Sequence, residues 1–189
     1  ASSAPEAARS ETGALRHLLI FGGSQGAKAI NSAMIDALPM LATVKPRLAI
    51  THQTGEADHA RVVAAYAEAG IFATVVPFLY DMPTALRAAD LVVARAGAMT
   101  IAELTVCGKP AIMVPPPTEI YNHQLRNAEV MAKAGGAVLL PQAELTGAGL
   151  AHAITDILGE PQRLETMSRH SWNMRRSDAA ETIVRECYD

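Results

Sequence analysis

The first feature of this chain that could do chemistry is a glycine-rich turn, Gly22-Gly23-Ser24-Gln25-Gly26, between the apolar run His17–Phe21 and a helical pattern. Glycine lets the backbone approach a ligand closely, and the unpaired N–H groups of a first helical turn attract anions. Ser24 and Gln25 would add side-chain donors. Many strand-to-helix turns are glycine-rich for packing alone, so this turn by itself also fits a purely structural role.

A second turn of the same kind, Arg95-Ala96-Gly97, follows the apolar run Leu91–Ala94. A helix is expected to start near Ala98, which would direct its first amides toward the space beyond the strands. Those amides belong to Ala98, Met99 and Thr100. Two such helix starts would suit the two charged groups of a diphosphate.

Glu103 lies about one turn into this second helix. A carboxylate there can accept hydrogen bonds from both vicinal hydroxyls of a ribose, as acidic residues do in nucleotide-binding folds. It would equally complement the positive end of the helix dipole, and the sequence leaves both roles open.

A cluster of neutral polar side chains follows the prolines Pro115–Pro117. Amides and an imidazole supply both donors and acceptors, which the hydroxyls of a sugar require. The cluster consists of Asn122, His123, Gln124 and Asn127. Asn is also a favoured helix cap, so Asn122 fits a capping role equally well.

Two further segments are expected to be loops. Thr51–Glu56 is polar, and no Ser, Cys or acidic partner can be identified for its His52, so we expect packing rather than catalysis. The backbone of Pro77–Met82 could read the edge of a base while Phe78 or Met82 packs on the base's face. Core packing explains those two apolar side chains equally well.

The composition fits one soluble globular domain without a nucleic-acid partner. The chain has 189 residues, 50% hydrophobic and 19% charged, with a formal net charge of −3. Cys107 and Cys187 lack metal-ligand spacing and are expected to be reduced thiols. No apolar run has the length of a membrane span, and the start lacks a signal-peptide core. A cytoplasmic location is therefore expected.

The order of elements predicts an α/β fold. Ala1–Ala14 is expected to be a linker or leader with a further segment upstream, and 15–189 to form one domain. The predicted strands are His17–Phe21, Arg47–Ile50, Ala73–Pro77, Leu91–Ala94, Ala111–Val114 and Ala137–Leu140. The predicted helices are Gln25–Met40, Glu56–Ala69, Met82–Ala89, Met99–Val106, His123–Ala134, Glu144–Leu158, Pro161–Ser171 and Asp178–Glu186. Apolar strands alternating with helices indicate a doubly wound, Rossmann-like parallel sheet, which binds ligands beyond the carboxyl ends of its strands.

From about Leu18 to its end, the chain resembles the C-terminal half of the MurG family, bacterial transferases that use UDP-N-acetylglucosamine (UDP-GlcNAc) to complete the lipid-linked disaccharide of peptidoglycan. The likeness depends on five segments together. They are Gly22–Ala27, His52–Gly55, Phe78–Met82, Arg95–Glu103 and His123–Ala128.

The resemblance implies a donor site and no resident cofactor. Ser24 and Gln25, with the helix start at Ala98–Thr100, would hold the diphosphate, and Glu103 the ribose. Gly23 belongs to the same matching turn. The uracil would contact Phe78, Met82 and the backbone of Leu79, and the sugar would contact His123, Gln124 and Asn127. Arg95 matches the family's basic residue after the fourth strand. No metal is expected, which agrees with the absence of an Asp-x-Asp motif.

The resemblance also implies a partner. The family's N-terminal domain, with its own glycine-rich loop and a histidine, supplies the acceptor site, the expected catalytic base and the surface that faces the membrane. These 189 residues contain no such loop. We therefore expect the donor-binding half of a GT-B type, inverting glycosyltransferase, peripheral to the inner face of the cell membrane and inactive without that domain in cis or in trans.

Other functions remain open at this stage. The chain could be the donor-binding subunit of a two-chain, lipid-linked glycosyltransferase. It could also be a nucleotide-sugar epimerase of similar fold, or a non-catalytic nucleotide-binding module. A dinucleotide-dependent dehydrogenase fits less well, because the first turn lacks the G-x-G-x-x-G spacing.

Overall fold

The structure is a computed structural model that describes residues 15–23, 26–42, 48–117 and 122–175. In the described residues, six strands form one parallel sheet with the order β3-β2-β1-β4-β5-β6. The strands are β1 (Arg16–Phe21), β2 (Leu48–Gln53), β3 (Ala73–Val76), β4 (Leu91–Ala94), β5 (Ala111–Met113) and β6 (Ala137–Leu139). The predicted doubly wound, Rossmann-like sheet is confirmed.

Seven α-helices are described between and after the strands. They are α1 (Lys28–Leu41), α2 (His59–Glu68), α3 (Met82–Ala88), α4 (Ala98–Val106), α5 (His123–Lys133), α6 (Gly147–Gly159) and α7 (Pro161–Asn173). Short 3₁₀ turns at Glu56–Asp58 and Gln142–Glu144 precede α2 and α6. The predicted leader Ala1–Ala14 and the predicted last helix, Asp178–Glu186, lie outside the described residues.

Both faces of the sheet are buried. Along β1, Leu18 and Ile20 join the core under α1, α2 and α6, while Leu19 and Phe21 join the core under α3, α4 and α5. β4 is fully buried on both faces. This two-sided burial explains why the strands are nearly continuous apolar runs, since no face is left for polar residues.

The main correction to the predicted elements concerns β2. The expected strand was Arg47–Ile50 followed by a polar loop, but the strand continues through Thr51, His52 and Gln53. His52 and Gln53 are buried. Polar residues such as these are typical of loops, which is why the sequence predicted one here. In the structure each side chain is buried and has hydrogen-bond partners in other elements.

The strand order places a crevice where β1 and β4 lie side by side. Phe21 pairs in register with Ala94 at the carboxyl ends of these strands. The helices that follow pack on opposite faces of the sheet, α1 on one and α4 on the other. This reversal of direction is the topological switch point at which open α/β sheets bind their ligands.

Candidate functional site

The glycine-rich turn lies at this switch point, and its backbone is one that glycine permits. Gly23 and Gly26 have φ angles of +93° and +74°, and the Gly26 N–H donates to the Gly23 carbonyl at 2.9 Å. A Cβ at Gly26 would overlap the Thr54 carbonyl oxygen. Since a positive φ cannot continue into a helix, α1 begins at Lys28, and the predicted start at Gln25 is wrong.

Ser24 and Gln25 lie outside the described residues. Their predicted contacts with a diphosphate stay predictions. What the structure does describe is the support on both sides of them, at Gly23 and at Gly26.

A buried polar chain supports this turn from β2. His52 is fully buried, with Nδ1 3.2 Å from the Tyr66 hydroxyl and Nε2 3.0 Å from Asn31 Oδ1. Because the Asn31 oxygen can only accept, Nε2 donates to it and Nδ1 accepts from Tyr66. Burial lowers the pKa of His52 from 6.5 to about 3, against an opposing effect of Asp58. His52 is therefore neutral, which agrees with the packing role expected for it.

Asn31 extends this series of buried hydrogen bonds to Thr54, which follows β2, and to Asp58 near the surface. Its Nδ2 donates to the Thr54 carbonyl and to Asp58 Oδ2, both at 2.9 Å. Asp58 in turn pairs with Arg61 at 3.1 Å. Hydrogen bonds from Arg61 and Asn31 lower the pKa of Asp58. The Thr54 carbonyl against which Gly26 packs is thus held in place from below.

The second turn is built more simply. Gly97 has an ordinary extended backbone (φ −63°, ψ 152°) and precedes α4, which begins at Ala98 as expected. Ala98 and Met99 are exposed and Thr100 is half-buried. The amides of this helix start therefore stand at the carboxyl end of β4, beside the glycine-rich turn.

Glu103 lies one turn further along α4, on the same side as exposed Met99. Its side chain is half-buried and has no hydrogen bond or ion pair with any described residue. A carboxylate in this position is available to a ligand at the switch point. The predicted ribose contact is compatible with this geometry but stays a prediction.

Two polar side chains fix the second turn to its neighbours. Arg95 donates to the Val114 carbonyl at 2.9 Å and to Gln142 Oε1. Asn127 Nδ2, near the start of α5, donates to the Ala96 carbonyl at 2.9 Å. For Arg95 and Asn127 the structure therefore shows an anchoring role, and the Asn127 amide nitrogen is already engaged.

Gln124 differs from both. It lies three residues before Asn127, so it projects from the same face of α5, toward the second turn. Its Oε1 is buried and has no hydrogen-bond partner among the described residues. Because a buried, unpaired acceptor is costly, this oxygen is the atom of the predicted sugar cluster that most clearly requires a ligand or a water.

The remaining members of that cluster lie at the start of α5. Asn122 is exposed, with a left-handed backbone (φ +37°), and its side chain makes no capping hydrogen bond. Asn122 nevertheless occupies the N-cap position of α5, and its carbonyl accepts from the Arg126 N–H at 2.9 Å, so the capping alternative holds for its backbone and not for its side chain. His123 is exposed at the first position of the helix.

The segment expected to read a base follows β3. Phe78 is 42% exposed and meets Tyr80 edge-on, with the ring centroids 5.0 Å apart. Leu79 and Met82 pack against the core. The core alternative is thus supported for Met82 and not for Phe78, and the predicted base contacts stay predictions. Asp81 caps α3 by accepting from the Thr84 N–H at 3.1 Å.

The residue that sequence analysis missed is Gln53. Its side chain contacts both the glycine-rich turn and Pro77–Met82, the segment predicted to contact a base and called the base-reading segment below. Its signals in the sequence are the polar pair His52-Gln53 directly after an apolar strand and its place in the segment His52–Gly55, which carries part of the resemblance.

Two further properties of the described residues concern metal ions and membranes. No group of three or more His, Cys, Asp or Glu side chains within them is arranged to hold a metal ion. None of the helices in the described ranges is both long and apolar enough to cross a membrane.

Fold and site together define a Rossmann-like domain with two helix starts at its switch point, the place where folds of this class bind phosphate-bearing ligands. The chain belongs to the family of glycosyltransferase family 28 C-terminal domains, and the sequence pattern of that family matches residues 17–183. The resemblance seen in the five sequence segments is thereby confirmed.

Proteins with similar sequences and structures support this assignment to the family. A UDP-N-acetylglucosamine--N-acetylmuramyl-(pentapeptide) pyrophosphoryl-undecaprenol N-acetylglucosamine transferase of Geobacter metallireducens is 50% identical over 170 residues, covering 90% of this chain and 47% of that protein. The same enzyme of Syntrophus aciditrophicus is 49% identical, with 94% and 49% covered. The crystal structure of Acinetobacter baumannii MurG superimposes with a TM-score of 0.83 at 33% identity, covering 94% of this chain and 53% of that one.

The chain spans about half the length of the relatives that it matches. The match to the MurG structure identifies the fold as half of a GT-B type glycosyltransferase. The predicted fold class is therefore confirmed.

Proposed function

We propose that this chain is the UDP-GlcNAc-binding domain of an inverting N-acetylglucosaminyltransferase that acts on a lipid-linked muramyl-peptide acceptor in peptidoglycan synthesis. The observation that carries the proposal is the switch point itself. Phe21 and Ala94 end adjacent strands, and each strand leads through a short turn to a helix start. Transferases of this description, half of whose length aligns with the chain at about 50% identity, support the choice of donor and acceptor.

The two helix starts would stabilise the negative charge that develops on the leaving diphosphate. Oriented amides at α4 need no rearrangement during the reaction, which is why such groups accelerate transfer. Glu103 would accept from the ribose hydroxyls, and Gln124 Oε1 from a hydroxyl or N–H of the sugar. The donor site would then hold the anomeric carbon in place for direct displacement, without a divalent metal.

Acceptor binding and proton removal would come from another domain, in the same chain or in a separate one. Within the described residues, His52 is buried and Asp81 caps a helix, which leaves both poorly placed as a base for an acceptor hydroxyl. A transferase whose acceptor carries a lipid must work at the membrane surface. We therefore propose a location peripheral to the inner face of the cell membrane, reached through that other domain.

Calorimetry tests the donor-binding half of this proposal. The chain is titrated with UDP, UDP-GlcNAc and NAD, each with and without a chelator. Binding of both uridine nucleotides but not NAD, unchanged by the chelator, is expected. Binding of NAD alone would contradict the proposal, and loss of UDP binding on chelation would contradict its metal-free form.

A transfer assay tests the other half. GlcNAc transfer to a lipid-linked muramyl-peptide acceptor is measured with the chain alone and after addition of an N-terminal domain from a relative. Turnover is expected only in the second case, because losing both the positioning of the acceptor and general base catalysis costs many orders of magnitude. Robust turnover by the chain alone would show that the donor-domain assignment is wrong.

A further inference from the structure

Gln53 is the last residue of β2 and is 2% exposed. β2 lies between β1 and β3, and the register places Gln53 beside Phe21 on one side and Val76 on the other. Those two residues end the strands that lead into the glycine-rich turn and the base-reading segment. Gln53 is therefore the central residue of a row of three strand ends.

The side-chain amide of Gln53 uses both its donor and its acceptor, one toward each neighbouring segment. Nε2 donates to the Gly23 carbonyl at 2.8 Å, and Oε1 accepts from the Leu79 N–H at 3.1 Å. Since a carbonyl can only accept and an N–H can only donate, the two partners fix the orientation of the amide. Glutamine meets this requirement, because it carries a donor and an acceptor at the end of one side chain.

The two partners are backbone groups of two different segments, the glycine-rich turn and the base-reading segment. The end of β3 and the start of the base-reading segment are already joined to the residues that follow β2, by main-chain bonds from Thr54 N to the Val76 carbonyl and from Gly55 N to the Pro77 carbonyl, both 3.0 Å. Gly23 has no heavy atom within 4 Å of the position of a Cβ. The bond from Gln53 therefore restrains Gly23 where the turn faces open space.

We propose that Gln53 is a positioning residue that sets the spacing between the diphosphate and base subsites by tying Gly23 to Leu79. The inference rests on the proposed function. A nucleoside diphosphate must occupy both subsites at a spacing fixed by its own covalent structure. Loss of the tie thus penalises the linked ligand more than either of its parts.

The test compares two variants of Gln53 with a matched control in the full chain. Gln53→Met keeps the length of the side chain and removes both hydrogen bonds. Gln53→Glu, when ionised, keeps the acceptor for Leu79 but has no proton for the Gly23 carbonyl. Ser171→Ala is the control, because it removes a buried hydrogen bond from the Ser171 hydroxyl on α7 to the Leu104 carbonyl on α4.

Affinities for UDP, uridine and inorganic pyrophosphate are measured by calorimetry and NMR. In Gln53→Met we expect UDP to bind about tenfold more weakly or worse, the effect of losing one or two buried hydrogen bonds, while each fragment changes by less than about threefold. Ser171→Ala should bind all three like the unmodified chain. Equal losses for UDP and both fragments would overturn the inference, since a merely structural defect does not distinguish them.

The pH profile gives a second readout. Protonation of Gln53→Glu restores a donor toward Gly23, so its UDP affinity relative to the unmodified chain at the same pH should recover as the pH falls. Gln53→Met should show no such recovery. A profile of Gln53→Glu parallel to that of Gln53→Met would contradict the role of the Gly23 bond.

Amide hydrogen exchange separates failure of this inference from failure of the proposed function. If the unmodified chain binds no UDP, the proposed function fails, but exchange at Leu79 still reports the tie. Faster exchange at Leu79 in Gln53→Met than in Ser171→Ala supports it. Unchanged exchange at Leu79 overturns it whether or not UDP binds.

Discussion

The two turns at the switch point follow the same strand-turn-helix plan but are stabilised in different ways. The turn after β1 depends on Gly26 in a left-handed conformation and on a buried polar chain beneath Thr54. The turn after β4 has ordinary backbone angles at Gly97 and is anchored by the Asn127 amide and by the bonds of Arg95 to Val114 and Gln142. The longer turn depends on contacts from other elements, because residues with a positive φ lie outside the helix and are not stabilised by its hydrogen bonds. Similar local patterns in a sequence can therefore depend on the rest of the fold to different degrees.

The strongest contrast should come from the two glycines. Gly26→Ala places a Cβ on the Thr54 carbonyl and forces a left-handed alanine, so we expect at least about 2 kcal/mol loss of stability and loss of UDP binding. In Gly97→Ala the new Cβ meets Thr100 Oγ1 at 3.8 Å, an ordinary contact, and stability should change by less than about 1 kcal/mol. Urea denaturation measures both. Equal stability losses would show that the turns do not differ as described.

Glu103 tests whether the second turn provides chemistry as well as structure. Glu103→Ala should weaken UDP binding by about 1–3 kcal/mol, the usual effect of losing charged hydrogen bonds, with little change in stability. Glu129→Ala, which removes an exposed carboxylate from α5, is the control and should leave UDP binding unchanged. If 2′,3′-dideoxy-UDP binds as well as UDP to the unmodified chain, the ribose contact is wrong.

Gln124 and Asn127 should separate sugar recognition from anchoring of the second turn. Gln124→Ala should weaken UDP-GlcNAc binding by about 1 kcal/mol and leave UDP nearly unaffected, because its buried Oε1 makes no bond to the turn. Asn127→Ala should weaken both ligands, since it releases the Ala96 carbonyl. Calorimetry with both nucleotides measures the difference. A parallel drop in Gln124→Ala would indicate a structural role instead.

The smallest expected effect is a loss of folding stability at low pH, which should arise from the buried hydrogen bonds that support the first turn. His52 has a folded-state pKa of about 3 against 6.5 for the ordinary group, so between these values the unfolded state binds more protons. Its contribution to stability is complete above about pH 6.5 and falls as the pH drops toward 3. Between pH 7.5 and 5.5 we expect a loss of about 1 kcal/mol.

The control for this pH dependence is His52→Gln, which cannot titrate. Its free energy of unfolding should fall less between pH 7.5 and 5.5 than that of the unmodified chain. The lowered pKa of Asp58 acts in the same direction but at lower pH, since its carboxylate must be protonated. Identical pH slopes in the two proteins would mean that His52 is accessible to protons in the folded state.

Much of the architecture followed from local patterns. Runs such as Leu91–Ala94, with no polar position, predicted strands buried on both faces, and the structure has such a strand at β4. Helix boundaries were close wherever the start coincided with Asp81, which caps α3, or with Pro161 in the first turn of α7. The end of β2 was missed because His52 and Gln53 are polar, and hydrophobic periodicity reports only apolar burial.

The candidate site divides in the same way. The two turns and the cluster at the start of α5 could be proposed as a site because glycines and amides are visible in the sequence. The individual roles within them were not, since Asn127 and Gln124 are both neutral amides three residues apart. The structure distinguishes them by their contacts, because one binds the Ala96 carbonyl and the other has a buried, unpaired oxygen.

The sequence by itself therefore determined the class of fold, the place of the two strand-to-helix turns and, through its five characteristic segments, the family. Those properties depend on short-range patterns, in which neighbouring residues set backbone conformation and burial. Only the tertiary structure decided which polar side chains support the turns and which remain available to a ligand. Asn31, His52 and Gln53 join elements that are distant in sequence, and a hydrogen bond of that kind has no local pattern by which it could be predicted.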